Sequence, residues 1–460
     1  MIIIIINCDR QNQVLNDNTQ DRTQFLGDLK KRTFFFFWDL MDKPTWQIPD
    51  RHPTVRFSSI ASTGFGLTAY IIGAENEFVT RAEAAERVFN TLNWFWQSRQ
   101  GPDSTGTTGH RGFYYHFLNY GDGTRFQNVE LSTIDTGLLM AGILACQSYF
   151  DRENETETKI RNLADSLFLR VEWDWAMEDQ ETMSMGWHPE RGFIKARWTG
   201  YNEAMILLIM ALGSPTHPIP PDSWENWCET YRWENFMGYE HVNFTPLFGH
   251  QYSHMFIDFR EIKDPYMRDK GIDYFENSVR ATLSNRAYCI ENPGHFIGYK
   301  ENLWGLTACD GPAGDTQVIN GDTIDFWTYR ARGASAIRVV DDGTIAPTAA
   351  GGSIPFAPEE CITALMTMKN KLGDRLYQEY GFKDAFNLTY TDPINGENGW
   401  IDHDYLGIDQ GPILIQLENH HTELIWNVMK KNKYIISGFK KAGFTGGWLE
   451  KTLIAEVQNK

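Results

Sequence analysis

Thiolate chemistry has little to build on in this chain. Its six cysteines, Cys8, Cys146, Cys228, Cys289, Cys309 and Cys361, form no CxxC or CxxxC pair, so no structural zinc site is expected. Cys146 lies in an apolar stretch and reads as a small core residue. Positive charge is also short: 42 Lys and Arg face 60 Asp and Glu, a net charge of −18. Such a surface repels phosphate backbones, so nucleic acid is not an expected partner. Long hydrophobic runs are missing too. The start, "MIIIIINCDRQNQ", is too short to span a bilayer and lacks a basic leader. A disordered start is one reading. A clipped lipoprotein signal with an acylated Cys8, and hence a periplasmic or cell-envelope location, is the other. GxSxG, HExxH and P-loop motifs are lacking, which removes the corresponding hydrolase and nucleotide chemistries. "DGPAGD" and "DDGTIAP" are acidic loops that could hold a structural calcium, but neither has the EF-hand pattern. No other cofactor is expected. No Pro/Ser-rich linker interrupts the chain. The expected division is a disordered or signal remnant over 1–19, one domain over 20–445 and a tail over 446–460.

What is abundant is apolar and aromatic. Hydrophobic residues make up 42%, with 16 Trp, 19 Tyr and 29 Phe. Two kinds of helical segment alternate. One kind is apolar on nearly all sides: 58–73, 132–150, 200–213, 248–259, 354–370 and 407–431. Helices of this kind are buried. The other kind is amphipathic: 80–98, 155–173, 222–235, 265–288, 372–382 and 432–443. Ala82, Ala85, Val88, Phe89 and Leu92 recur at three and four, the mark of a half-exposed helix. Six buried helices alternating with six half-exposed ones predict an all-α fold, an (α/α)6 toroid or six-hairpin barrel. A leading helix over about 20–41 packs at its side.

Connector lengths add direction. Links from a buried helix to the next half-exposed one are short, whereas 99–131, 174–199, 236–247, 289–353 and 383–406 are long. Long loops in compact domains are usually functional. All five precede the N-termini of buried helices, so the site is expected at that face. "GFYYHFLNYGDGTRFQNVEL" and "GWHPERGFIKARW" read as β-hairpins within these loops.

Acids collect in the same segments: Glu130, Asp135, Glu203, Glu301, Asp310, Asp402, Asp404 and Asp409. Aromatics accompany them at Trp187, Trp198, Tyr201, Trp304 and Trp400. Carboxyls among aromatic faces suit glycoside cleavage, in which one acid protonates the leaving oxygen and another activates water. Glu203 precedes "AMILLIM", so its carboxyl is expected to be desolvated and its pKa raised, as a general acid needs. Asp409 also reads as a partner of a helix dipole, and Asp135 as part of an N-cap network with Ser132 and Thr133. Arg197 and Arg332 are candidates for pairing with these acids. His250 and Gln251 are candidates for binding hydroxyls.

"STIDTGLLMAGIL", "GYNEAMILLIMALGSPTHPI", "FGHQYSHMFIDFR", "YKENLWGLTACDGPAG" and "GIDQGPILIQLEN" resemble the bacterial glycoamylase-like family over roughly 25–445. That resemblance implies an (α/α)6 glycoside hydrolase related to endo-β-1,2-glucanases that cut β-1,2-glucan with inversion. It also implies Glu203 of "YNEA" as the general acid. For the base it leaves Asp135 of "STIDTG", Asp409 of "GIDQGP" and Asp310 of "CDGP". The expected partner is a neutral oligo- or polysaccharide bound by a monomer. The alternatives are an exo-acting enzyme on sophorooligosaccharides, a glucoamylase and a non-catalytic glycan-binding protein.

Overall fold

A computed structural model describes residues 3–393, 396 and 398–450, with side chains from residue 20 onward, Asn398 excepted. The side chain of Cys8 and the tail beyond 450 lie outside the described residues. The chain opens with α1 (Ile3–Asp39) and then alternates buried and half-exposed helices. The first three pairs are α2 (Ile60–Glu75) with α3 (Arg81–Gln97), α4 (Thr133–Tyr149) with α5 (Glu155–Leu169), and α6 (Met205–Gly213) with α7 (Ser223–Cys228). Next, α8 (Tyr252–Phe256) is followed by α9 (Pro265–Lys270) and α10 (Tyr274–Glu291), and α11 (Pro347–Gly351) by α12 (Pro358–Leu372). Last come α13 (Gly407–Thr422), α14 (Leu424–Met429) and α15 (Lys433–Lys441).

Local chemistry sets these boundaries. Thr80 caps α3 through the Glu83 N–H while the Glu83 carboxylate accepts from the Thr80 N–H. Ser59, Ser132 and Asp273 cap α2, α4 and α10 in the same Ncap-to-N3 manner. α13 ends at Glu423 in left-handed conformation (φ 57°), where Asn419 Oδ1 receives the N–H of Ile425. Depth comes from close approach of backbones. A Cβ on Gly142 of α4 would stand 2.1 Å from the Gly64 carbonyl oxygen of α2, so only glycine lets these two helices touch.

The buried helices follow one another in space. α2 packs on α4, α4 on α6, α6 on α8, α8 on α13, and α13 returns to α2. α11 lies against α13 and is tied to the start of α8 by Gln251, whose Nε2 donates to the Ala349 carbonyl (2.9 Å) and to Ser353 Oγ (2.8 Å). α3, α5, α12 and α15 pack outside α2, α4, α11 and α6. α1 lays Phe34, Phe36 and Phe37, all fully buried, beside α2 and α13. Among the described residues no helix is long and apolar enough to cross a membrane.

Several boundaries differ from the sequence expectation. The fifth buried helix is α11, not 354–370; the small residues of "PTAAG" permit its burial, and α12 is amphipathic. Residues 372–382 form no amphipathic α-helix: Leu372 ends α12, Gly373–Arg375 is a single 3-10 turn, and a short hairpin follows in which Tyr377 pairs with Phe382. The segment 265–288 is two helices, broken at Gly271 (φ 76°). The expected helix over 222–235 stops at Cys228 and gives way to a strand, Trp233–Phe236. The long connectors carry short antiparallel strands, as expected. Phe113–Tyr115, Leu131–Ser132, Gly186–His188 and Gly192–Phe193 share a five-stranded sheet in which Trp187 faces Phe193.

Candidate active site

A cavity of about 410 Å³ opens where the long connectors meet the buried helices. Its walls come from Asp50, Arg51 and Phe57 ahead of α2, His116 and Phe117 ahead of α4, and Glu203 ahead of α6. Ala61 of α2, Ile134, Asp135 and Leu138 of α4, Phe248 and Tyr252 around α8, Ala308 and Tyr329 ahead of α11, and Leu406 and Ile408 at the head of α13 complete it. Each lies in a segment leading into a buried helix or in that helix's N-terminal half, so the asymmetry in connector length did locate this face.

Glu203 sits in the turn before α6, one residue ahead of its Ncap, Ala204. Asn202 shapes that turn: its Oδ1 receives the Ala204 N–H (3.0 Å) and its Nδ2 donates to the Thr199 carbonyl (3.1 Å). Ser253 of α8 clamps it, donating to the Glu203 carbonyl and receiving the Ile206 N–H. The backbone is fixed, while Glu203 Oε2 is buried without a hydrogen-bond partner. Burial, reinforced by nearby Asp135, pushes this carboxyl up to about 7.

Asp135 is anchored differently. It receives the Ser132 hydroxyl, and its own N–H donates to Ser132 Oγ, so the N-cap expectation is correct and coexists with cavity exposure. His116 Nε2 stands 3.7 Å from Asp135 and its Nδ1 2.8 Å from Glu130 Oε1. Burial alone would lower the imidazole, but Asp135 and Glu130 overcome it and raise it to about 9. In turn the His116 imidazolium outweighs burial at Glu130 and holds it at about 2. Tyr252 donates to the Ile408 carbonyl (3.1 Å), and its phenol is raised by burial and by the charges of Asp409, Glu203 and Asp135.

Asp409 occupies the first turn of α13, buried, with no N–H donating to Oδ2. Asp384 shares a side-chain hydrogen bond with it. Asp310 pairs with Arg51 (2.6 Å), and its N–H donates to Asp384 Oδ2 (2.7 Å). Asp404 receives the Thr54 N–H, and Asp402 Oδ1 receives the Asp404 N–H.

Of the predicted site residues only Glu203 and Asp135 line the cavity; Asp310 stands behind its wall, bound to the lining residue Arg51, Glu130 stands behind it, bound to His116, and Asp402, Asp404 and Asp409 are not among the lining residues either. The other predicted residues are engaged elsewhere. Trp304 and Arg332 are fully buried; Arg332 pairs with Asp342 (2.7 Å) and donates to the Cys309 carbonyl, holding the Asp310 loop from behind. Tyr201 and His250 pack against each other in the core, ring centroids 4.8 Å apart and tilted by 30°. Trp198 Nε1 donates to Thr133 Oγ1 (2.9 Å), bracing the start of α4. Trp187 packs on His110 and Trp175, and Arg197 pairs with Glu178 and the Met177 carbonyl. Glu301 is exposed and paired with Arg286. Trp400 packs on Cys309, Ala346 and Ala385 under the aspartates. Gln251 is spent on α11. Asp50, Arg51, His116, Tyr252, Tyr329 and Asp384 were not anticipated.

The Glycoamylase family model, "Putative glucoamylase", matches residues 195–433, just over half of the chain. The chain belongs to the glycoamylase family. Over 478 aligned residues the chain is 28% identical to an exo beta-1,2-glucooligosaccharide sophorohydrolase (non-reducing end) from Parabacteroides distasonis, covering 95% of the chain but only 60% of that relative's length. Among solved structures it is similar to a "putative glucoamylase" from Bacteroides uniformis (33% identity, 93% of this chain and 99% of that one, TM-score 0.81). It is also similar to an endo-beta-1,2-glucanase from Chitinophaga pinensis in complex with sophorotriose and glucose (26%, 93% and 99%, TM-score 0.79).

Proposed function

We propose that this member of the glycoamylase family is an inverting glycoside hydrolase of (α/α)6-toroid fold that cleaves β-1,2-glucan or its oligosaccharides. The observation that carries the reading is Glu203: a buried carboxyl with an unpartnered oxygen, raised to about 7, opposite Asp135 in a cavity built by the heads of the buried helices. Such a group is protonated at working pH and delivers its proton to the glycosidic oxygen. Asp409, a buried acid in the first turn of α13 that shares a hydrogen bond with Asp384, takes the proton of the attacking water on the opposite face of the sugar. Asp135, held by Ser132 and His116, is a fixed carboxylate that orients a sugar hydroxyl. Phe57, Phe117 and Tyr329 supply apolar faces for pyranose rings. Substrate names among relatives and the closing circuit of buried helices support linkage and fold. The proposal includes a single catalytic unit over 20–445, a monomeric state and an envelope location, checked by sedimentation and cell fractionation.

Incubation with linear β-1,2-glucan, sophorooligosaccharides, laminarin and starch, read by product chromatography, tests the reading. Release of β-1,2-linked oligosaccharides supports it. A ladder of products marks endo cleavage, and sophorose alone marks the exo mode. Glucose from starch would establish the glucoamylase alternative, and binding without any product would establish a glycan-binding protein.

A further inference from the structure

Behind the Arg51 side of the cavity, carboxylate oxygens of Asp310, Asp384 and Asp402 lie within 4.8 Å of one another. Three separate segments deliver them. Asp310 follows the strand Ala308–Cys309, Asp384 precedes the strand Phe386–Thr391, and Asp402 follows the strand Asn398–Ile401. Their backbones are locked together. The Asp310 N–H donates to Asp384 Oδ2, the Asp384 N–H to the Asp404 carbonyl (3.0 Å) and the Asp402 N–H to the Ala385 carbonyl (2.9 Å). Arg332 grips the Cys309 carbonyl from behind. The group is thus assembled before any ligand arrives.

Its charges are not balanced from within. Asp384 and Asp402 are 1% and 3% exposed; Asp384 shares a side-chain hydrogen bond with Asp409 and His403 Nδ1 stands 3.4 Å from Asp402 Oδ1, yet Asp402 Oδ2 has no hydrogen-bond donor and Asp384 Oδ1 has none from an N–H. Arg51 bonds Asp310 through Oδ2 alone and divides itself between that residue, Asp50 (3.0 Å) and Asp404 (3.9 Å). Among the described residues Asp384 has no ion-pair partner within 4 Å. Burying carboxylates in this state is costly unless a cation or a metal joins them.

We propose that Asp310, Asp384 and Asp402 bind one hard divalent cation of the calcium class. The donor set is all carboxylate oxygen, with no thiol or imidazole, which suits calcium rather than zinc or copper. Asp310, partly exposed, gives the ion and its waters access from the solvent side. Of the two acidic loops in the sequence, "DGPAGD" contributes Asp310. The "DDGTIAP" loop is already spent: Asp342 holds Arg332, and Asp341 receives the hydroxyls of Tyr288 and Tyr299. The site does not depend on the hydrolytic reading, and neither does its test.

The full chain, freed of metal with a chelator, is titrated with calcium chloride and separately with magnesium chloride in a calorimeter, and its thermal unfolding is followed with and without each ion. The expected result is one calcium per chain and a rise in Tm of roughly 3 °C at a hundredfold excess over Kd. Asp402→Asn removes both heat and shift, whereas Asp341→Asn keeps them. If Asp402→Asn folds poorly, Asp310→Asn at the rim carries the same comparison. No heat and no shift with either ion overturns the proposal. So does binding that survives in both variants, or an Asp402→Asn chain more stable than the parent in saturating calcium.

Discussion

The two ends of the buried helices treat their acids in opposite ways. At the short-connector end each buried carboxylate is fully answered. Glu418, 2% exposed, receives Lys30 Nζ (2.7 Å), Asn76 Nδ2 (3.0 Å) and Thr422 Oγ1 (2.7 Å). Asp258 is held by Arg260 and Lys430, which outweigh burial and keep its pKa below the usual carboxylate range. Asp264 receives Trp224 Nε1, the Tyr274 hydroxyl and the Met267 N–H. At the long-connector end Glu203 Oε2, Asp384 Oδ1, Asp402 Oδ2 and Asp409 Oδ2 are buried and receive no N–H, and Asp384 and Asp409 share one hydrogen bond between them. The same residue types therefore serve stability at one end and are held short of partners at the other. Groups left unsatisfied in this way mark places where a ligand completes the structure.

That contrast is broken or sharpened by substitution. The largest effect is expected at Glu203: Glu203→Gln should lower kcat on the cleaved glucan by about 10³-fold or more while the chain stays folded. Asp409→Asn should also act mainly on kcat, whereas Asp135→Asn should act mainly on KM; steady-state kinetics separate the two, and the reverse split would exchange their roles. At the other end, Glu418→Ala leaves Lys30 buried without its partner and should cost about 3–5 kcal/mol of stability, measured by denaturant unfolding, with kcat unchanged below the transition. A smaller effect is expected from pH. Because burial pushes the Glu203 carboxyl up to about 7 and the proposed mechanism uses its protonated form, kcat should fall as pH rises through that value. The smallest belongs to Trp198→Phe, which removes one hydrogen bond to Thr133 and should cost about 1 kcal/mol.

The sequence made the location of the candidate cavity legible through connector length, and Glu203's presence in its wall through its place ahead of an apolar run. Both are local signals. It could not show that His116 bridges Glu130 and Asp135, because that pairing joins a hairpin to a helix cap. Asp384 and Arg51 come near Asp310 only through strand pairing across many residues, so nothing near them in sequence marks them. Trp304 and Arg332 misled for the converse reason. An aromatic or a cation in a long loop reads as a binding residue, but this loop is thick enough to have its own core, and Arg332 finds Asp342 ten positions along the chain. The helix over 354–370 was displaced because the small residues of α11 take the inner position.

The most direct test is the pH dependence of the stability difference between the parent chain and Glu203→Gln. A carboxyl raised from 4.5 to about 7 on folding keeps its proton in the native state. The parent is therefore at its most stable, relative to the variant, below pH 4.5 and loses that advantage as pH rises through 7. Thermal unfolding of both across pH 4 to 9 should show the gap moving steadily in favour of glutamine between pH 4.5 and 7, then levelling off. A gap that does not change with pH would mean that Glu203 titrates as it does in water, and the distinction drawn between the two ends would fall.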